Sequence, residues 1–254
     1  MKPWEDEEKR VRTVHFSQER KKHNMTSITT TSQSATSPTR NKLDLYARWG
    51  LWALLVWAAL LVYGTLTHQP DPTTDFPGYA SYITTTEFLI SHLVASIFGA
   101  AVGTLGLIAL FVVLCKGRAA PLALWALVMG IIGNTLVTSV FGVAAFAQPA
   151  IGHVYLAGHM TEAVALNNDV YGPALFATAL AGILLLTIGI VLFGVAVVRS
   201  GSLPRLAGIG FALGGAAFTV LGILFSNFLQ PLGATLMAAS AVWIAIAGWR
   251  MPSQ

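Results

Sequence analysis

Six apolar stretches, each long enough to cross a lipid bilayer, divide this chain. A helix of about 20 apolar residues spans the hydrocarbon core, and a helix satisfies the backbone hydrogen bonds of such a segment within itself. The pattern therefore predicts an all-α polytopic integral membrane protein, a bundle of six transmembrane helices. The predicted spans cover about residues 48–66, 87–114, 121–146, 173–198, 204–225 and 231–249.

The basic residues lie on one side of this predicted topology. Ten of the fifteen Lys and Arg residues occur up to Arg48. The other five follow the second, fourth and sixth spans: Lys116, Arg118, Arg199, Arg205 and Arg250. The remaining three connections hold five acidic residues and no basic one. Because basic loops stay in the cytoplasm, we expect both the N- and the C-terminus to be cytoplasmic.

Composition narrows the partners and the chemistry. The chain is 55% hydrophobic and 10% charged, whereas soluble domains are about 25% charged, so the lipid bilayer is the predicted partner. The basic excess follows the topology, and nucleic acid is not a predicted partner. The single cysteine, Cys115, excludes a disulfide within one chain and a metal site built from cysteines.

The N-terminal part differs in composition from the rest. Residues 25–41 are rich in Ser and Thr and cannot bury a core, so residues 1–45 are predicted to be a disordered cytoplasmic tail and residues 46–250 the membrane domain. Residues 1–24 are dense in both signs of charge. We interpret Met25 as the start of translation, which a peptide from the natural protein beginning before residue 25 would refute.

Small residues recur at fourfold spacing within several spans and predict close helix packing. Such residues let neighbouring backbones approach each other in the membrane. The predicted packing positions are Ser91, Ala95, Gly99, Gly103, Gly130, Asn134, Gly210 and Gly214. Thr138 and Gly142 continue the third-span series at the same spacing.

Asn134 lies near the middle of the third predicted span. Its amide needs a hydrogen-bond partner, because hydrocarbon offers none. Two roles remain open for it: a hydrogen bond to another helix, or a contact with a bound ligand or cofactor.

Histidine and carboxylate residues near the predicted outer face raise the alternative of a metal or haem site. The candidate ligands are His92, His153, His159 and Glu162. Imidazole and carboxylate groups bind transition metals, and His92 could also serve as a haem ligand. No two histidines have the four-residue spacing of a helical chelate, so the sequence predicts no cofactor. The structural alternative is that His92 forms a hydrogen bond between helices while the loop histidines are solvated.

The turn from Val198 to Gly208 reads VRSGSLPRLAG. It resembles a turn, Arg-Ser-Gly-x-Leu-Pro-Arg-x-x-Gly, that joins two late helices in an uncharacterised, domain-of-unknown-function family of bacterial six-helix membrane proteins. The resemblance covers about 11 residues and implies the fold and a bacterial plasma membrane. It implies no activity, because that family has none assigned.

The predicted function is that of a multi-pass membrane protein without enzymatic activity. It is expected to bind a lipid, a small apolar ligand or a partner membrane protein, which includes a second copy of itself. Two alternatives stay open: a metal- or haem-binding redox protein of the outer face, and a carrier or channel for an uncharged solute. Catalytic motifs such as a nucleophile elbow or a phosphate-binding loop are absent from the sequence, which favours the non-enzymatic reading.

Overall fold

The computed structural model describes residues 38–67, 69–225 and 229–251, with side chains from residue 42. The described chain is helical and contains no strand, which confirms the all-α prediction. The tail to residue 37 and the turn around Ser226 lie outside the described residues. The helices are α1 Pro38–Gly50, α2 Trp52–Thr65, α3 Phe76–Ile83, α4 Thr86–Ile90, a π-helix Ser91–Phe98, α5 Gly99–Leu114, α6 Ala120–Leu156, α7 Met160–Val170, α8 Pro173–Ser200, α9 Arg205–Phe225 and α10 Gln230–Arg250.

In the described residues, six helical segments are long and apolar enough to cross a membrane, as predicted. We call them spans 1 to 6, and they are Lys42–Thr65, Thr86–Leu114, Ala120–Leu156, Pro173–Ser200, Arg205–Leu224 and Gln230–Arg250. The connections between spans 2 and 3 and between spans 4 and 5 lie at the end of the bundle that carries the basic residues, here called the basic end. The opposite end carries the acidic connections and is called the acidic end.

The six spans form a closed ring. Each span packs on the next one along the chain, and span 6 packs on span 1. The contact between spans 3 and 4 is the most extensive, followed by that between spans 5 and 6. Short connections favour such antiparallel neighbours, and the closed ring leaves a common interior that all six spans can line.

Large apolar side chains fill the interior towards the basic end. Leu110, Phe193, Val197, Phe211 and Ile244 are all buried there in one hydrophobic cluster. The rim of this end is held by polar contacts and rings, each joining two spans or their connections. These are an ion pair between Lys116 and Asp44, a hydrogen bond from the Arg118 side chain to the carbonyl of Arg199, and a perpendicular ring contact between Trp49 and Trp249.

Small residues lie where the spans approach each other most closely. A Cβ added to Gly103 would fall 2.6 Å from the Trp57 ring, and one added to Gly214 would fall 2.6 Å from the Met237 backbone nitrogen. Gly210 faces the Ser240 hydroxyl. These distances are shorter than real Cβ contacts, so the three sites accept no larger residue without movement of a neighbour.

The remaining predicted packing positions in spans 2 and 3 also lie inside the ring. Ala95 is buried and lies against Gly64, Gly99 faces Leu60, and Gly130 faces Leu107. Gly142 differs, because a Cβ there would meet no atom of the described residues within 4 Å. A step of four residues turns an α-helix about 40° past a full turn, so three such steps carry Gly142 out of the contact that Gly130 makes.

The third span is longer than predicted. It was expected to end at residue 146, but α6 continues to Leu156 with Pro149 inside it. The extension packs against α3, and a Cβ on Gly152 would lie 2.9 Å from the carbonyl oxygen of Ala80. Tertiary packing on α3 accounts for a helix that local sequence signals do not favour.

The first helix also begins earlier than expected. Pro38 opens α1, which places residues 38–45 in a helix although they were assigned to the disordered tail. Arg48 lies in its last turn, where a basic side chain interacts favourably with the helix dipole.

Candidate functional site

A cavity of about 440 Å³ lies inside the ring, in the half nearer the acidic end. We call it the central cavity. It extends from Thr67 and Gln69 at the acidic end down to Trp57 and Met237. All six spans contribute to its lining, which is mostly apolar. This volume falls within the roughly 300–1,000 Å³ of small-molecule sites in proteins.

The wall that span 2 contributes is a π-helix, Ser91–Phe98. Four of its residues, Ser91, His92, Ala95 and Ser96, line the central cavity. π-helical segments are rare and occur frequently at functional sites. The wider turn presents a different set of side chains from those an uninterrupted α-helix would present to the cavity.

His92 is held by its own helix. Its Nδ1 lies 3.0 Å from the carbonyl oxygen of Phe88, and because a carbonyl only accepts, Nδ1 carries the proton in that bond. The ring packs at 4.1 Å from the ring of Phe88 and at 6.2 Å from that of Phe141, centroid to centroid. In the neutral imidazole this leaves Nε2 as a hydrogen-bond acceptor on the cavity wall.

Asn134 lines the cavity at a deeper level and bridges spans 2 and 3. Its Nδ2 donates to the carbonyl oxygen of Ala100 at 2.7 Å and to the hydroxyl of Thr104 at 2.8 Å. The carbonyl partner fixes which amide atom is the nitrogen. Both amide protons are therefore used, and Oδ1 remains as an acceptor.

A pair of threonines also lines the cavity. The Thr187 and Thr219 hydroxyls are 2.6 Å apart and link spans 4 and 5. Thr187 also donates to the carbonyl oxygen of Ile183 at 2.8 Å. One hydroxyl has one proton, so Thr219 donates to Thr187 and the Thr219 oxygen keeps acceptor capacity.

The contacts of two glycines place these groups at one depth. A Cβ on Gly133 would lie 2.2 Å from the backbone nitrogen of Leu186, next to Thr187. Gly103, next to Thr104, packs directly on Trp57. Trp57, Asn134, Thr187 and Thr219 therefore surround the cavity at a common level, which we call the deep belt.

The candidate metal ligands are not brought together. His92 lines the central cavity, whereas His153 is exposed in the last turn of α6 and His159 is exposed just before α7. Glu162 is an exposed residue of the first turn of α7. Among the described residues, no group of three or more His, Cys, Asp or Glu side chains is arranged to hold a metal ion.

Comparison of the chain with protein-family models, with curated proteins and with solved structures found no match.

A second polar cluster lies under the short helices of the acidic end. The Tyr79 hydroxyl donates to Asn167 Oδ1 at 3.1 Å, which links α3 to α7. Gln148 of α6 and Tyr171 complete the cluster, and Gln148 Oε1 and the Tyr171 hydroxyl are buried without a hydrogen-bond partner in the described residues. Burial raises the pKa of Tyr79 to about 12, an effect that a side-chain interaction with Gln148 partly offsets. Burial also raises the pKa of Tyr171, and an electrostatic interaction with the nearby Tyr79 raises it further.

An exposed carboxylate begins the turn before α3. Asp71 Oδ1 accepts hydrogen bonds from the backbone N–H and from the hydroxyl of Thr73, at 2.8 and 2.7 Å. These bonds stabilise the charged form and lower the pKa of Asp71. The arrangement is local and serves the turn.

Sequence reasoning missed most of the cavity lining. Thr187, Thr219 and Gln230 line the cavity but were not singled out, because isolated hydroxyl and amide residues in apolar spans carry no motif. The π-helix has no signature in the sequence. One signal was available: Thr187 is a polar residue near the middle of its apolar span, and Thr219 is a polar residue within span 5.

Proposed function

We propose that the protein binds a small, uncharged, mostly apolar molecule in the central cavity. The observation that carries the proposal is the cavity itself: mostly apolar walls with a few convergent polar groups are the usual form of a small-molecule site. Among the residues that the structure describes, no Lys, Arg, Asp or Glu lines the cavity. Moving a charged ligand from water into the cavity, where no opposite charge would compensate it, costs several kcal/mol. The lining therefore supports a neutral ligand.

We further propose the membrane setting of this activity. The distribution of basic residues supports cytoplasmic termini, which makes the acidic end the outer face. The ligand would then enter from the outside or from the outer leaflet. The VRSGSLPRLAG turn supports a bacterial plasma membrane as the location.

The hydrophobic cluster towards the basic end bears on the alternative of a carrier or channel. The buried side chains of Phe193, Val197, Phe211 and Ile244 lie between the cavity and the basic end. Passage of a solute requires these packed side chains to separate, which binding does not. Binding therefore needs fewer assumptions than transport.

A matched pair of substitutions tests the proposal. Ala179 lines the central cavity, whereas Ala181, two residues further along the same span, is exposed on the outside of the ring. Ala179→Phe should fill part of the cavity, and Ala181→Phe should not. Both variants add the same side chain to the same helix.

The assay is photolabelling in lipid nanodiscs with an uncharged alkyl diazirine, followed by peptide mapping. We expect label on cavity-lining peptides of the wild-type protein and of Ala181→Phe, and a loss of that label in Ala179→Phe. Label found only on lipid-facing residues, or cavity label that Ala179→Phe leaves unchanged, contradicts the proposal.

A further inference from the structure

The deep belt presents a defined set of unused hydrogen-bonding groups. The protons of Asn134, Thr187 and Thr219 are all engaged within the protein, so Asn134 Oδ1 and the Thr219 oxygen remain as acceptors. The Trp57 side chain also lines the cavity, and its indole N–H has no acceptor among the described residues. The belt thus offers one donor and two acceptors at the same depth.

These groups need partners, because they lie deep within the spans, where lipid supplies none. An unpartnered polar group in an apolar environment costs free energy. The smallest chemical group that can accept from an N–H and donate to an oxygen at the same time is a hydroxyl. An ether or ketone oxygen can accept from Trp57 but can donate to neither acceptor.

We infer that the deep belt binds the hydroxyl group of an uncharged, otherwise apolar alcohol, with the apolar part extending along the cavity towards the acidic end. This inference rests on the proposed function and adds the chemical class of the ligand. The hydroxyl accepts from the Trp57 N–H and donates to Asn134 Oδ1 or to the Thr219 oxygen. The apolar part lies against Leu60, Val140 and Ile183, which line the cavity above the belt.

Two isomeric probes test the inference with the protein unchanged. Dodecan-1-ol and methyl undecyl ether have the same formula and differ in whether the oxygen carries a proton. Binding of each to the wild-type protein in nanodiscs is measured by displacement of the diazirine photolabel, at equal mole fractions in the lipid. One buried acceptor left unsatisfied by the ether corresponds to a difference in affinity of roughly tenfold.

A conservative variant locates the effect. Thr219→Val keeps the shape of the side chain and removes the hydroxyl. It should weaken the binding of dodecan-1-ol roughly threefold and leave the affinity for the ether unchanged. Thr135→Val is the matched control, because Thr135 is exposed and, within the described part of the chain, its hydroxyl bonds only to the carbonyl of Ile131 in its own helix. The control should change neither affinity.

The outcomes separate the inference from the proposed function. Preference for the alcohol, reduced in Thr219→Val, supports the inference. Equal displacement by alcohol and ether overturns hydroxyl recognition while leaving binding in the cavity intact. If Ala179→Phe abolishes the cavity label but neither probe displaces it, the inference is also overturned. If the cavity carries no label at all, the proposed function is overturned. The comparison of the two probes on the wild-type protein stands even if Thr219→Val does not fold.

Discussion

The contact between spans 3 and 4 yields a sharp prediction, because two glycines of the same helix differ completely in their surroundings. A Cβ on Gly133 would lie 2.2 Å from the backbone nitrogen of Leu186 and 2.8 Å from the carbonyl oxygen of Gly182. A Cβ on Gly142 would meet no described atom within 4 Å. Both residues lie inside α6, so the intrinsic helix preference for alanine over glycine is the same at the two positions.

The size of the effect follows from the geometry. Moving the new Cβ from 2.2 Å to the 3.4 Å at which ordinary contact begins requires the two backbones to separate by 1.2 Å. The nearest atoms belong to the backbone, so a change of side-chain rotamer cannot relieve the clash. Overpacking of this kind costs about 1–3 kcal/mol. We therefore expect the free energy of unfolding of Gly133→Ala to be lower than that of Gly142→Ala by about 1–3 kcal/mol or more.

The measurement is the free energy of unfolding in mixed micelles with increasing SDS, for the wild-type protein and both variants. Gly142→Ala should match or slightly exceed the wild type, and Gly133→Ala should unfold at a lower SDS fraction. Equal stability of the two variants would refute the close approach of spans 3 and 4 at this point.

Two further predictions concern the ends of the bundle. The folded-state pKa values of Tyr79 and Tyr171 lie above the ordinary value of 10, so their contribution to stability is complete below pH 10 and is lost as pH rises towards 12. The double variant Tyr79→Phe, Tyr171→Phe should therefore lose less stability than the wild type when melting is measured across that pH range. An identical loss in both proteins would contradict the burial of these hydroxyls. The only cysteine of the chain, Cys115, is exposed just after span 2, so a membrane-impermeant maleimide should label it in inverted vesicles and not in intact cells, and labelling in intact cells would reverse the proposed topology.

The spans themselves were predictable because length and hydropathy carry the information. A segment of about 20 apolar residues has few alternatives to a membrane helix, and span 2 was placed within one residue at each end. The end of α6 was not predictable in this way. Its last ten residues are held by contacts with α3, which is distant in the sequence. Locally, Pro149 disfavours a helix.

The site was less predictable than the fold, for a physical reason. Four-residue spacing of small residues indicates that some face of a helix packs closely, and in the structure Gly103 and Gly130 lie at contacts between spans. The spacing does not indicate which face meets which neighbour. The closest approach, at Gly133, was therefore missed. The cavity was missed as well, because its position depends on how the side chains of all six spans are arranged around it.

A ligand site in the central cavity can be tested by mass spectrometry of the small molecules that co-purify with the protein in mild detergent. Wild-type protein, Ala179→Phe and Ala181→Phe are expressed in the same cells and extracted in parallel. We expect an uncharged, mostly apolar molecule that accompanies the wild type and Ala181→Phe and is depleted several-fold in Ala179→Phe. Identical extracts from all three proteins would contradict a ligand site in the central cavity.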